Sequence, residues 1–146
     1  MPLRGLSISY FLFKEFIMAL SNGTGGYQVG AGNLGEVILG IQQAPVSKAA
    51  AATLTAVELT NGIVQYTGAT ATLTLPTVAD TELQVSNAKV NSSFDVNFMN
   101  TGAGTLTIAV GTGWTLVGTV TSATLTSAAW RARKTGDNAW SLYRIA

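Results

Sequence analysis

The chain has 146 residues, 47% hydrophobic and 10% charged, with a formal net charge of +1 and neither cysteine nor histidine. Disulfides, thiolate metal sites, cysteine nucleophiles, imidazole ligands and any Ser-His-Asp or Cys-His arrangement are thereby excluded. Near-neutral charge offers no electrostatic footprint for nucleic acid or an anionic membrane, and a charge content well below the usual quarter or so suits a surface buried against partners.

Residues 1–35 are expected to form an N-terminal arm and residues 36–146 a single β domain. The opening MPLRGLSISYFLFKEFIMAL has the outline of a signal peptide, with an early Arg4. Lys14 and Glu15 cut its apolar stretch far short of the about 20 residues a membrane span needs, so neither export nor a transmembrane helix is expected. Two readings of the apolar residues 1–17 stay open. One is an upstream start, with Met18-Ala19 as an ordinary N-terminus; the other is an arm docked on a neighbouring chain. In the second, Tyr10, Phe11, Phe13 and Phe16 are partner contacts, each gaining about 1.5–3 kcal/mol if fully buried. The glycine-rich stretch 21–35, SNGTGGYQVGAGNLG, reads as extended and irregular, with Tyr27 a further contact.

Within that stretch, GAGNLG at 30–35 fits the dinucleotide fingerprint G-x-G-x-x-G. The fingerprint works only between a strand and a long helix, where the helix N-terminus meets the pyrophosphate. Here EVILGIQQAP follows, with Gly40 in its middle and Pro45 at its end, and only a weak period-2 pattern. Glu58 falls where an acidic ribose ligand would lie. The match reads as coincidence in a glycine-rich chain, and no nucleotide or other cofactor is expected.

LTAVELTNG reads as a short helical turn. Strand patterns then recur. TATLTLP (70–76) turns Leu73 and Leu75 inward, and TVADTELQVSNAKV (77–90) is a short helix with Pro76 at its start or at a strand end. SFDVNFMN (93–100) puts Phe94, Val96 and Phe98 on one face. TLTIAV (105–110) faces Leu106, Ile108 and Val110 inward. WTLVGTV, SATLTS, AWRARK and NAWSLYRI complete the series, with turn chemistry at NTGAG, GTG and KTGDN, the last joining two strands as a hairpin. The expected fold is mainly β: an antiparallel β-sandwich or barrel, jelly-roll-like, with one short helix and an extended N-terminal arm. The connections look too short for parallel crossovers, and no repeat of fixed solenoid period is evident.

Seven carboxylates (Glu15, Glu36, Glu58, Asp80, Glu82, Asp95 and Asp137) form no calcium-type cluster or glycosidase pair, and read as capping or solvated groups; no metal is expected. Arg131, Arg133 and Lys134 are the one basic cluster. As a strand, WRARK sends Arg131 and Arg133 to one face and Trp130 to the other. Arg131 and Arg133 are then a solvated face, a salt-bridging contact to an acidic partner or, least favoured, a contact to nucleic acid. Trp114, Trp130 and Trp140 read as core, the alternative being sugar-stacking platforms.

The run SSFDVNFMNTGAGTLTIAVGTGWTLVG (92–118), the closing RARKTGDNAWSLYRI (131–145) and the arm SNGTGGYQVGAGN resemble small β-structured virion proteins of tailed bacteriophages, in the decoration (cement) and fibre-tip groups. The resemblance covers residues 18–146, and residues 1–17 fall outside it. It implies a non-enzymatic homotrimer on the capsid exterior, assembled in the host cytoplasm, that clamps major capsid protein subunits through its arm. The alternative it leaves is a receptor-binding tail or fibre module that recognises host glycans.

Overall fold

The computed structural model of the chain describes residues 41–146. The expected arm, with Tyr10, Phe11, Phe13, Phe16 and Tyr27, the GAGNLG stretch and the 35/36 boundary lie outside the described residues. Ten strands and two short helices follow in the order β1 (Val46–Lys48), β2 (Ala52–Thr53), α1 (Ala56–Thr60), β3 (Ile63–Tyr66), β4 (Ala71–Thr74), α2 (Val78–Gln84), β5 (Ser93–Asn100), β6 (Leu106–Ala109), β7 (Trp114–Val117), β8 (Thr121–Ser122), β9 (Thr126–Gly136) and β10 (Ala139–Arg144).

Up to β8, successive strands alternate between two sheets. One sheet has the order β1-β3-β5-β9-β10-β7 and the other β2-β4-β6-β8. Within the first, β1, β3 and β5 are parallel; within the second, β2, β4 and β6 are parallel. Residues 46–109 therefore wind as a coil. Each turn places one strand in each sheet and returns through a helix, until β9 pairs antiparallel with β5 and β8 antiparallel with β6.

Small residues make the corners between sheets. The Thr67 amide donates to the Lys48 carbonyl (2.9 Å), the Thr101 amide to Tyr66 (2.8 Å) and the Ala103 amide to Gly68 (3.0 Å), so three corners stack backbone on backbone. A Cβ on Gly68 would overlap the Ala49 carbonyl, and one on Gly102 would overlap the Gly68 carbonyl. Glycine is required at both for lack of space. The returns are capped: Thr55 and Glu58 form a reciprocal capping box on α1, and the Thr77 hydroxyl accepts from the Asp80 amide on α2. Helices this short are not stable alone. Buried Leu59, Val78 and Thr81 tie them down.

Both sheets feed one apolar cluster. Val64, Phe98 and Ala128 line up in register across β3, β5 and β9, with Val96 beside Trp130. Leu54, Leu73, Leu75, Leu106 and Ile108 come from the β2-β4-β6 side. Leu73 and Leu75 point inward as the alternation predicts, as do Val96 and Phe98, with Phe94 packed against the cluster.

The expected fold needs four corrections. It is mainly β, but its sheets are mixed, with five parallel strand pairs and three antiparallel among the described residues. That removes the antiparallel, jelly-roll-like winding. The short connections that argued against parallel pairing lead into the opposite sheet, so the crossover is itself a strand. Neither sheet closes, so the barrel alternative falls. There are two helices rather than one, the second arising from LTAVELTNG. Finally, Val110 is half exposed beyond the end of β6, and SATLTS is not one strand: Ser122 ends β8, 123–125 turn, and Thr126–Ser127 open β9.

Candidate partner-contact face

The outer face of the six-stranded sheet is set by the β9–β10 hairpin. KTGDN closes it, with Asn138 at φ 55, the left-handed region that Asn tolerates. The resulting register places Arg131 opposite Tyr143, and Arg133 opposite Ser141. On the other side, Arg131 faces Asp95 and Arg133 faces Ser93 on β5. Trp130 and Ala132 point to the core, as alternation requires.

The two arginines differ in what holds them. Arg131 donates from Nε and Nη2 to the two oxygens of Asp95 at 2.7 and 2.9 Å, a forked pair in which both groups are exposed. The guanidinium holds the Asp95 carboxyl below its usual range, and the carboxylate pushes Arg131 up. Arg133 has no carboxylate partner among the described residues. Its Nη2 donates to the Asn91 side-chain oxygen. Tyr143 lies beside it, its phenol drawn below the ordinary value by the Ser141 hydroxyl and the Arg133 guanidinium. Asn91 sits at φ 75, its amide donating to the Lys134 carbonyl at 2.9 Å while the Lys134 amide donates to Ser92.

The inner side of the hairpin is closed. Lys134 is buried, its ammonium 2.8 Å from Glu82, which also accepts from the Trp140 indole N–H at 3.1 Å. Lys134 holds the Glu82 carboxyl below its usual value against the opposing effect of burial. Trp140 packs between Phe94 and Trp114, with ring centroids 5.6 and 5.8 Å away. The Trp114 N–H donates to the Pro76 carbonyl. All three tryptophans are buried, at 7% exposure or less, as the core reading expects. None presents a stacking platform for a sugar.

The other described carboxylates have structural duties. Burial alone would raise Glu58, but Lys48 at 2.7 Å and the Thr55 amide outweigh it and hold the carboxyl low. The residue at the ribose-ligand spacing is thus part of a helix cap. Asp80 accepts from the Thr77 hydroxyl, and Asp137 is exposed, 3.9 Å from Lys134. Among the described residues no group of three or more His, Cys, Asp or Glu could hold a metal ion, and no helix is long and apolar enough to cross a membrane. A groove of about 630 Å³ across the ends of β2, β4 and β6 is rimmed by Thr53, Thr55, Thr74, Thr77 and Thr112 with Asp80, whose carboxylate accepts from the Thr77 hydroxyl.

Sequence reasoning found Arg131 and Arg133 but missed Asn91, Ser141 and Tyr143. The hairpin register carried the signal for the last two. Counting back from a two-residue Asp137-Asn138 turn brings Ser141 and Tyr143 to within a residue of Arg133 and Arg131, and the bulge before Trp140 shifts them the rest of the way. Asn91 carried none, because its position depends on how the return from α2 folds. Compared with family models, curated proteins and solved structures, the chain matches none.

Proposed function

We propose that this chain is a non-enzymatic structural subunit of a phage virion, decorating the outer surface of the capsid and clamping major capsid protein subunits as a homotrimer. In this reading the two sheets pack as a sandwich, residues 1–35 serve as the arm, and the protein joins the capsid exterior after assembly in the host cytoplasm. The observation that carries it is the outer sheet face. β9 presents an oriented arginine to solvent, while the described carboxylates are engaged in caps and ion pairs or lie exposed. An oriented charge on a sheet face supports a contact role. The phage-protein resemblance of residues 18–146 gives those contacts their setting. A trimer would repeat each weak contact three times, raising avidity without any new chemistry.

The test is sedimentation of the full chain, alone and with empty procapsids or expanded shells of the virus that encodes it. Stoichiometric co-sedimentation with a free trimer is the expected result, and deletion of residues 1–35 is expected to abolish it while the β domain stays folded. A stable trimer that ignores shells would overturn the capsid reading in favour of a tail module, to be tested on host cells.

A further inference from the structure

We infer that Arg133, oriented by Asn91, is a receptor point for a carboxylate on an acidic protein partner, and that Arg131 is not. The inference rests on the reading of this face as a contact surface and assigns it a partner chemistry. Three observations carry it. First, the face has more cationic than anionic groups, and the one described carboxylate among its rows, Asp95, is already forked by Arg131. Second, Arg133 is oriented without being neutralised. Its described acceptor is a neutral oxygen, the Asn91 side-chain carbonyl, which orients the exposed guanidinium and leaves donors toward solvent. Third, its acceptor is placed by backbone. The Asn91 amide donates a hydrogen bond to the carbonyl of Lys134, next in sequence to Arg133, and Asn91 takes the left-handed conformation that Asn tolerates.

Arg133 has hydroxyls in line on both flanks, Ser93 on β5 and Ser141 on β10. A planar carboxylate arriving from solvent can take two parallel N–H donors from the guanidinium, the geometry Arg offers and Lys does not. A phosphate has the same charge sign but needs more donors than one guanidinium beside neutral hydroxyls, so an Asp or Glu side chain is the better fit.

The experiment uses the full chain with ¹⁵N-labelled arginine and a tetraglutamate peptide capped at both ends. The Arg133 Nε–H resonance is expected to shift saturably with peptide, and the affinity to fall as NaCl rises. Arg133→Gln is expected to weaken binding about tenfold, with Arg133→Lys intermediate. The double variant Asp95→Asn/Arg131→Gln removes the neighbouring pair at constant net charge and is expected to keep binding within about twofold. Circular dichroism melting checks that each variant is folded. The inference is overturned if the resonance does not move, if Arg133→Gln binds like the parent, if the double variant loses as much, or if inorganic phosphate shifts the resonance and the peptide does not. Because shells are absent here, these results separate from those of sedimentation. Peptide binding with no shell binding sinks the capsid reading alone, and shell binding with no peptide effect sinks the carboxylate site alone.

Discussion

The stacked corners of the coil and the β9–β10 hairpin hold neighbouring strands with different means. The corners at 67–70 and 101–105 carry no charged residue and are held by backbone lying on backbone, with Gly68 and Gly102 filling the only space left. The hairpin carries Arg131, Arg133, Lys134 and Arg144, and adds side-chain ties to its backbone ladders: an ion pair and an indole donor to Glu82 on α2, and a forked guanidinium to Asp95 on β5. Where backbone meets backbone, an added methyl has nowhere to go. Where side chains meet, cost is graded by burial, from Trp140 inside to Arg131 outside.

That contrast can be broken in order of expected effect. Trp140→Ala empties a site between Phe94 and Trp114 and removes one of the donors to Glu82, and is expected to cost about 3–5 kcal/mol in urea unfolding. Gly102→Ala is expected to cost about 3 kcal/mol despite adding a single methyl, because its neighbour is a carbonyl that cannot move aside. A loss below about 1 kcal/mol would show that the corners give, and would dissolve the comparison. Lys134→Ala leaves Glu82 half-buried without its cation and is expected to cost about 1–3 kcal/mol, less than a fully buried pair because Glu82 keeps some solvent. Arg131→Gln, on the exposed face, is expected to leave the melting temperature where it was.

Acid sharpens the same contrast. The Glu82 carboxyl is held below the usual glutamate range, chiefly by Lys134. A depressed folded value means that its contribution is complete above the unfolded pKa and is lost as pH falls through the folded one. Stability should therefore decline below about pH 4.5, and Glu82→Gln should flatten that decline in urea titrations run at falling pH. An unchanged slope would remove the hairpin latch from the account.

Alternation made the strands readable one at a time. Leu73, Leu75, Val96 and Phe98 point where period-2 patterning says, and Trp130 and Arg131 fall on opposite faces for the same reason. Strand order was not readable by that means, since alternation says which face is buried and nothing about which neighbour is bonded. A signal for the coil was nevertheless present. T-G-A stands at 67–69 and again at 101–103, each followed by T-L-T, at 72–74 and 105–107. Unequal turns hid it. Val46 pairs with Val64 and Val64 with Phe98, so the second turn is nearly twice the first, lengthened by α2 and the stretch after it. The contact face was half legible. Arg133 announces itself by charge and spacing, while Asn91 reaches it from a loop whose path no local pattern specifies.

The pairing of β5 with β9 has a consequence for the order in which the protein is made. Through Asn100 the coil can wind as it is synthesised, each new strand finding a partner already present. Then β5 must wait, one backbone edge unpaired, until residues 126–136 have been added. A chain halted between Asn100 and Thr126 would present that edge to the next halted chain. Translation pauses in this interval should therefore favour aggregates, whereas the completed chain, with β10 paired between β9 and β7, should not.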